Sequence, residues 1–157
     1  MSVKCLSNDE VRMKITRTIP VADTPPSAVY AYLADFTTSE EWDPGTVRTT
    51  LVEGDGGIGS RYLNRSVFRG RETELTYETI DLQPHRLVVM RGENATVVAQ
   101  DTMSIRPDED GTGSVLVYEA DFTFKGLARL ASPLLRGPLA RLADETEEEL
   151  ARVLPQL

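Results

Sequence analysis

The stretch KGLARLASPLLRGPLARLADETEEELARVLPQL, residues 125–157, decides how the rest of the chain is read. Leu127, Leu130, Leu134, Leu135, Leu139, Leu142, Leu150, Val153 and Leu154 recur in it at helical spacing. Pro133 and Pro138 each remove a helical hydrogen bond and crowd the preceding turn. They predict a kink or break near 132–137, with the main helix running from Pro138 to Leu154. The outer face carries Asp144, Glu145, Glu147, Glu148 and Glu149, a solvated charge run in which Glu148 precedes Arg152 by four residues as a helical pair. A long amphipathic helix that follows an antiparallel sheet lays its apolar stripe on that sheet. A curved sheet gripping one helix can enclose a cavity, and function is expected there.

The preceding residues supply the sheet. Val11, Met13, Ile15 and Ile19 alternate with Arg12, Lys14, Thr16 and Thr18, the signature of a strand with one buried face. Thr24-Pro25-Pro26-Ser27 starts a helix from about Pro26 to Ala34, because proline is tolerated in a first turn. Thr37 to Trp42 predicts a second short helix, stopped by Asp43-Pro44-Gly45. Six strands follow, at about 46–52, 60–68, 72–82, 86–91, 96–105 and 114–124. They are joined by turn signals such as Gly54-Asp55-Gly56-Gly57 and Asp108-Glu109-Asp110-Gly111. Connectors this short make antiparallel neighbours, so the prediction is a seven-stranded antiparallel sheet.

Composition narrows the partners. A chain of 157 residues, 40% hydrophobic and 27% charged, is expected to form one domain over 1–157, with residues 1–9 as a tail. A net charge of −8 opposes a nucleic-acid partner. Arg61, Arg65, Arg69 and Arg71 form the basic cluster, but Glu72, Glu74 and Glu78 answer it, so these are read as facing charges on neighbouring strands. Cys5 is the lone cysteine, which rules out an internal disulfide and suits a reducing compartment. No signal-peptide pattern and no apolar run long enough to span a membrane is present, so a cytoplasmic location without integral membrane contact is expected. One histidine and one cysteine leave no ordinary zinc site, and no metal or cofactor is expected.

Specific stretches carry a family resemblance. Pro26-Ser-Ala-Val-Tyr-Ala-Tyr-Leu-Ala-Asp35, Glu41-Trp42-Asp43-Pro44, Gly57-Ile-Gly-Ser60 and Phe124-Lys-Gly126 resemble the polyketide cyclase/dehydrase and lipid-transport branch of the START-like superfamily, often called SRPBCC. The element order also resembles its helix-grip, α+β fold. The resemblance covers nearly the whole chain and its motifs are structural. It implies an apolar pocket between sheet and helix for a lipid, polyketide or other hydrophobic molecule.

Strand alternation assigns a pocket-facing set. From the sheet come Tyr62, Asn64, Ser66, Phe68, Leu75, Tyr77, Met90, Ala99, Asp101, Met103, Tyr118 and Ala120, and from the helix Leu139 and Leu142. The mixture of Tyr62, Asn64 and Ser66 on one face is what a ligand site uses to fix orientation. Arg17 and Asp101 are charges on otherwise apolar faces. Each must be paired, bound to ligand or near water at a strand end. In the strand order that the resemblance implies, Tyr118 lies between them, so an Arg17–Tyr118–Asp101 cluster is the sharpest site expectation and supplies the candidate catalytic groups.

Other features read as structure. His85 follows Pro84 in a turn, away from the pocket. Gly54 to Gly59 matches G-x-G-x-x-G literally, but a strand follows it where the dinucleotide fingerprint needs a helix, so it reads as a hairpin turn. Trp42 is expected to pack the second short helix onto the sheet edge, with Asp43 capping the turn. The chain is therefore expected to bind a hydrophobic small molecule, as monomer or homodimer. The alternatives are a polyketide cyclase/dehydrase-type enzyme using the same pocket, a protein that sequesters a toxic metabolite, and a homodimeric module without a small ligand.

Overall fold

A computed structural model describes residues 10–157; the expected tail at 1–9, Cys5 with it, lies outside the described residues. The elements are β1 (Glu10–Val21), α1 (Pro26–Ala34), a 3₁₀ turn (Phe36–Thr38), α2 (Ser39–Trp42), β2 (Thr46–Glu53), β3 (Arg61–Phe68), β4 (Arg71–Gln83), β5 (Leu87–Glu93), β6 (Val97–Pro107), β7 (Ser114–Lys125), α3 (Ala128–Val153) and a final 3₁₀ turn (Leu154–Gln156). The seven strands form one antiparallel sheet in the order β1-β7-β6-β5-β4-β3-β2. This is the predicted helix-grip architecture. Pro20 is accommodated because β1 is an edge strand, where a missing N–H can face outward. A register shift between Thr79 and Asp81 places a bulge in β4, which bends that strand and adds to the curvature of the sheet.

α3 lies across the concave face against β1 and β7, and touches α2. It is one helix running through both prolines, so of the kink or break expected from sequence the break does not occur. Pro133 lacks the N–H that would have bonded the Arg129 carbonyl, and the Ser132 hydroxyl donates to that oxygen instead, at 2.6 Å. The lost backbone bond is thereby replaced locally.

The apolar stripe also divides. Ser132, Leu139, Ala143, Thr146 and Leu150 are the buried side of α3, whereas Leu127, Leu130 and Leu134 are 84%, 70% and 75% exposed. Leu134 is two residues from Ser132, about 200° around the helix, so these leucines point away from the sheet. They do not grip it, contrary to the sequence expectation. The packed core lies at the other end of α3, where Leu150 and Leu154 meet Ile19, Val21, Val29, Leu33 and Leu116. Leu150→Ala should cost about 2–5 kcal/mol, whereas Leu130→Ala should change stability by less than about 0.5 kcal/mol; urea denaturation of the two variants checks the division.

Candidate functional site

Across the concave face, Tyr62, Tyr77, Gly92, Ala99 and Phe122 stand opposite one another on β3, β4, β5, β6 and β7. The next row carries Met90, Asp101 and Ala120. Ala99 and Ala120 are small, and α3 opposes the sheet with Ala143 and Thr146. A Cβ added to Gly92 would lie 2.6 Å from the Tyr77 ring, so glycine is what lets that ring lie over β5. These volumes do not fill the space between sheet and helix. A cavity of about 470 Å³ remains, with exposed Arg71, Glu72 and Thr96 among its lining.

The structure brings Ser66, Phe68, Leu75, Tyr77, Ala99, Asp101, Tyr118, Ala120, Leu139 and Leu142 to the cavity wall. Four expected residues do not reach it. Met90 and Met103 are fully buried in the core, although they stand directly opposite Asp101 and Tyr118 of the cavity wall. Tyr62 is covered by Phe36, whose ring packs edge-on against it at 5.7 Å. Asn64 is consumed by hydrogen bonds: its amide donates to Thr46 Oγ1 at 3.0 Å and Thr49 Oγ1 at 2.9 Å, and its carbonyl accepts from Ser66.

Arg17 departs furthest from expectation. It stands opposite Tyr118 in the β1–β7 register, yet its guanidinium turns to α3 and pairs with Asp144 at 2.7 Å and Glu147 at 3.4 Å. The predicted triad reduces to a pair. Tyr118 donates its hydroxyl to Asp101 Oδ1 at 2.9 Å in a buried contact. Asp101 is only 7% exposed, and its other carboxylate oxygen makes no hydrogen bond among the described residues. Burial pushes the Asp101 carboxyl up to about 7, the Tyr118 hydrogen bond opposes that, and the nearby negative charge of Asp43 adds to it. Tyr118 and Tyr77 are both raised well above the ordinary phenol, chiefly by burial and secondarily by the charge of Asp101.

Two residues that the sequence reading placed elsewhere belong to this site. Asp43 does cap its turn, accepting from the Gly45 N–H at 3.0 Å and the Thr46 hydroxyl at 2.8 Å, but it also lines the cavity. Burial raises its carboxyl, while those hydrogen bonds hold it down. Its second role is carried by the chain Ser66–Asn64–Thr46–Asp43, which no spacing rule reveals. The helix that carries Trp42, α2, packs on the edge strand β2 as expected. Trp42 itself is 1% exposed, and its ring reaches into the interior to pack edge-on against Tyr118 of β7 at 6.1 Å. Phe36, Trp42, Tyr62, Tyr77 and Tyr118 together form an aromatic wall between the packed core and the cavity.

The remaining sequence features stay structural. His85 is exposed in the turn between β4 and β5, at φ +65°, with its ring edge-on to Tyr30. Gly54, Gly56 and Gly59 adopt positive φ in the β2–β3 connection. Arg61 and Arg65 pair with Glu78 and Glu72 across β3 and β4. Among the described residues, no group of three or more His, Cys, Asp or Glu is arranged to hold a metal, and no helix is long and apolar enough to cross a membrane. An open groove beside the cavity, lined by Pro44, Arg69, Pro138 and Arg141 among others, shares Val67 and Leu142 with it but has no buried polar group.

With this geometry established, residues 12–155 match the model of the family described as polyketide cyclase / dehydrase and lipid transport. The chain belongs to that family. Several solved structures share its fold. An aromatase/cyclase, Zhui from Streptomyces sp. R1128, is 17% identical with a TM-score of 0.68, over 94% of this chain and 92% of that one. The di-domain ARO/CYC BexL of the BE-7585A biosynthetic pathway is 14% identical at a TM-score of 0.69, over 91% of this chain and 50% of that one. Norcoclaurine synthase from Thalictrum flavum is 19% identical at 0.62, over 91% and 96%. No functionally curated protein matches the chain. At these identities the neighbours establish the fold of this family member alone.

The Asp101 environment has a consequence for stability. With its folded value near 7 and an ordinary unfolded carboxylate near 4, the folded state holds an extra proton between those values. Stability from this group is therefore greatest at low pH and is lost as pH rises through that window. Asp101→Asn stays neutral and can still accept from Tyr118. It should exceed the native protein by roughly 1 to 4 kcal/mol at pH 8 and match it near pH 4. Urea midpoints at the two pH values check the sign, and a variant no more stable at pH 8 contradicts the desolvated carboxyl.

Proposed function

We propose that this chain binds an apolar small molecule, of lipid or polyketide-like bulk, in the cavity between the sheet and α3. The observation that carries this reading is the unfilled volume of about 470 Å³ walled by Leu75, Ala99, Phe122, Leu139 and their neighbours. That size falls within the range of small-molecule sites, which are mostly apolar with a few placed polar groups. Asp101, Tyr118, Tyr77 and Asp43 are those groups here. Burial of the apolar body at about 25 cal/mol per Å² drives association, and the polar groups set the pose. The family description, with cyclases and lipid transport in it, is consistent with such a ligand.

A second reading is favoured by one specific observation. Asp101, with a carboxyl near 7 beside a buried phenol, has the property a general acid or base needs at neutral pH. On that reading the cavity folds a reactive chain of the cyclase/dehydrase type, Asp101 moves the proton, and Tyr118 orients it. Shape then supplies much of the rate by holding reacting atoms in register.

Native mass spectrometry of freshly purified protein, together with Nile red titration, tests the binding reading. A co-purified apolar mass or saturable Nile red binding is expected. Ala99→Leu should weaken Nile red binding at least ten-fold while changing stability by less than about 1 kcal/mol, because it fills a void. In a solid interior the same substitution would cost about 1–3 kcal/mol and leave any Nile red signal unchanged. Recovery of the captured molecule unchanged or chemically altered separates carrier from catalyst.

A further inference from the structure

The buried ionisable groups of the cavity all have one electrical character. Asp101 and Asp43 are carboxylates, and Tyr77 and Tyr118 are phenols, drawn from β6, the turn after α2, β4 and β7. From α3, the groups facing them are Ala143, Thr146, Leu139 and Leu142, none of which is charged. Arg17, the cation that register places opposite Tyr118, is held outside by Asp144 and Glu147. Arg71 and Glu72, opposite charges, are exposed rather than at the buried wall.

Two polar atoms in this wall have no protein partner. The second oxygen of Asp101, a residue nine-tenths buried, makes no hydrogen bond among the described residues, and neither does the Tyr77 hydroxyl. A buried carboxylate without a counter-charge is expensive, and the cost falls when a cation with hydrogen-bond donors meets it.

We propose that the ligand of this cavity is an apolar molecule bearing a protonated amine, with its ammonium against Asp101 and its hydrocarbon or aromatic body along Leu75, Ala99 and Leu139. Tyr77 accepts a second N–H, and Asp43 adds negative potential without leaving its turn. An anionic ligand at the buried wall would meet two carboxylates and no cation, because Arg71, which also lines the cavity, is exposed. A neutral carbonyl ligand could bind only the protonated form of Asp101, which opposes the ammonium in its pH dependence. This inference rests on the binding reading above and narrows it to a chemical class.

Three probes of matched body separate the possibilities: 6-phenylhexylamine, 6-phenylhexanol and 6-phenylhexanoate, titrated calorimetrically at pH 8 and pH 5.5. At pH 8, Asp101 is ionised in most molecules and the amine is protonated. The amine is expected to bind at least ten-fold tighter than the alcohol and the carboxylate. That advantage should shrink at least five-fold at pH 5.5, as Asp101 takes up its proton. Asp101→Asn should abolish the advantage of the amine over the alcohol. Should that variant fail to fold, the pH dependence of the native protein reads the same charge. Alcohol or carboxylate binding equal to the amine, or alcohol affinity that rises at low pH, overturns the ammonium assignment and leaves the binding reading standing. Failure of all three probes to bind overturns both.

Discussion

Side-chain volume sets the design of this interior. At one end Leu150 and Leu154 of the C-terminal segment meet Ile19, Val21, Val29 and Leu116, and large aliphatics fill the space. Farther along, the sheet offers Ala99 and Ala120, while α3 offers Ala143 and Thr146. Sheet and helix cannot approach more closely there, because the packed end fixes their separation. Protein interiors ordinarily close such gaps to crystal-like density. Here the gap persists because backbone hydrogen bonding sets the sheet's shape and one continuous helix spans both regions.

The boundary between filled and unfilled halves is aromatic. Phe36 touches Trp42, Tyr62 and Tyr77, and Trp42 in turn packs on Tyr118. Rings in edge-on contact are stiff, with two torsions each, and they convert the end of the core into a rigid back wall. The phenols on that wall are therefore positioned by packing. Asp43 is positioned differently, through a hydrogen-bonded chain that begins at Ser66 and passes through Asn64 and Thr46. Asn64 thus acts on the cavity without touching it. It donates to the Thr46 hydroxyl, which in turn donates to the Asp43 carboxylate.

The fold was legible because its signals are local and periodic. Alternation in Val11 to Ile19, turn residues at Gly54 to Gly57, and the proline-led start at Pro26 each specify an element without reference to the rest of the chain. Eight cavity residues followed from strand parity alone, since parity fixes which face a side chain takes, and Leu139 and Leu142 followed from helical spacing. Parity does not separate a side chain that lines a void from one packed within the core, which is why Met90 and Met103 were assigned to the cavity but are fully buried. Helical spacing similarly located apolar residues but did not separate Leu130 and Leu134 from the buried stripe two residues away. The unbroken passage through Pro133 needed the Ser132 hydroxyl, a compensation visible only as a distance. Asp43 and Trp42 were missed because their roles depend on contacts with β3 and β7, remote in sequence.

The diversion of Arg17 connects the outer charge of α3 to the cavity. An arginine opposite Tyr118, with no competing acid, would have Asp101 as an available partner, and a buried ion pair there would close the site electrostatically. Asp144 and Glu147 offer it carboxylates nearer to solvent, where the guanidinium keeps part of its hydration. A half-hydrated pair avoids most of the desolvation that a fully buried one would incur. The acidic run on the helix, which by itself reads as a solvated surface, therefore keeps the interior carboxylate uncompensated. Burial then raises the Asp101 carboxyl to about 7, so it exists both charged and uncharged near neutral pH. An uncompensated group of that kind destabilises the empty protein above neutral pH, and a complementary ligand is what would relieve it.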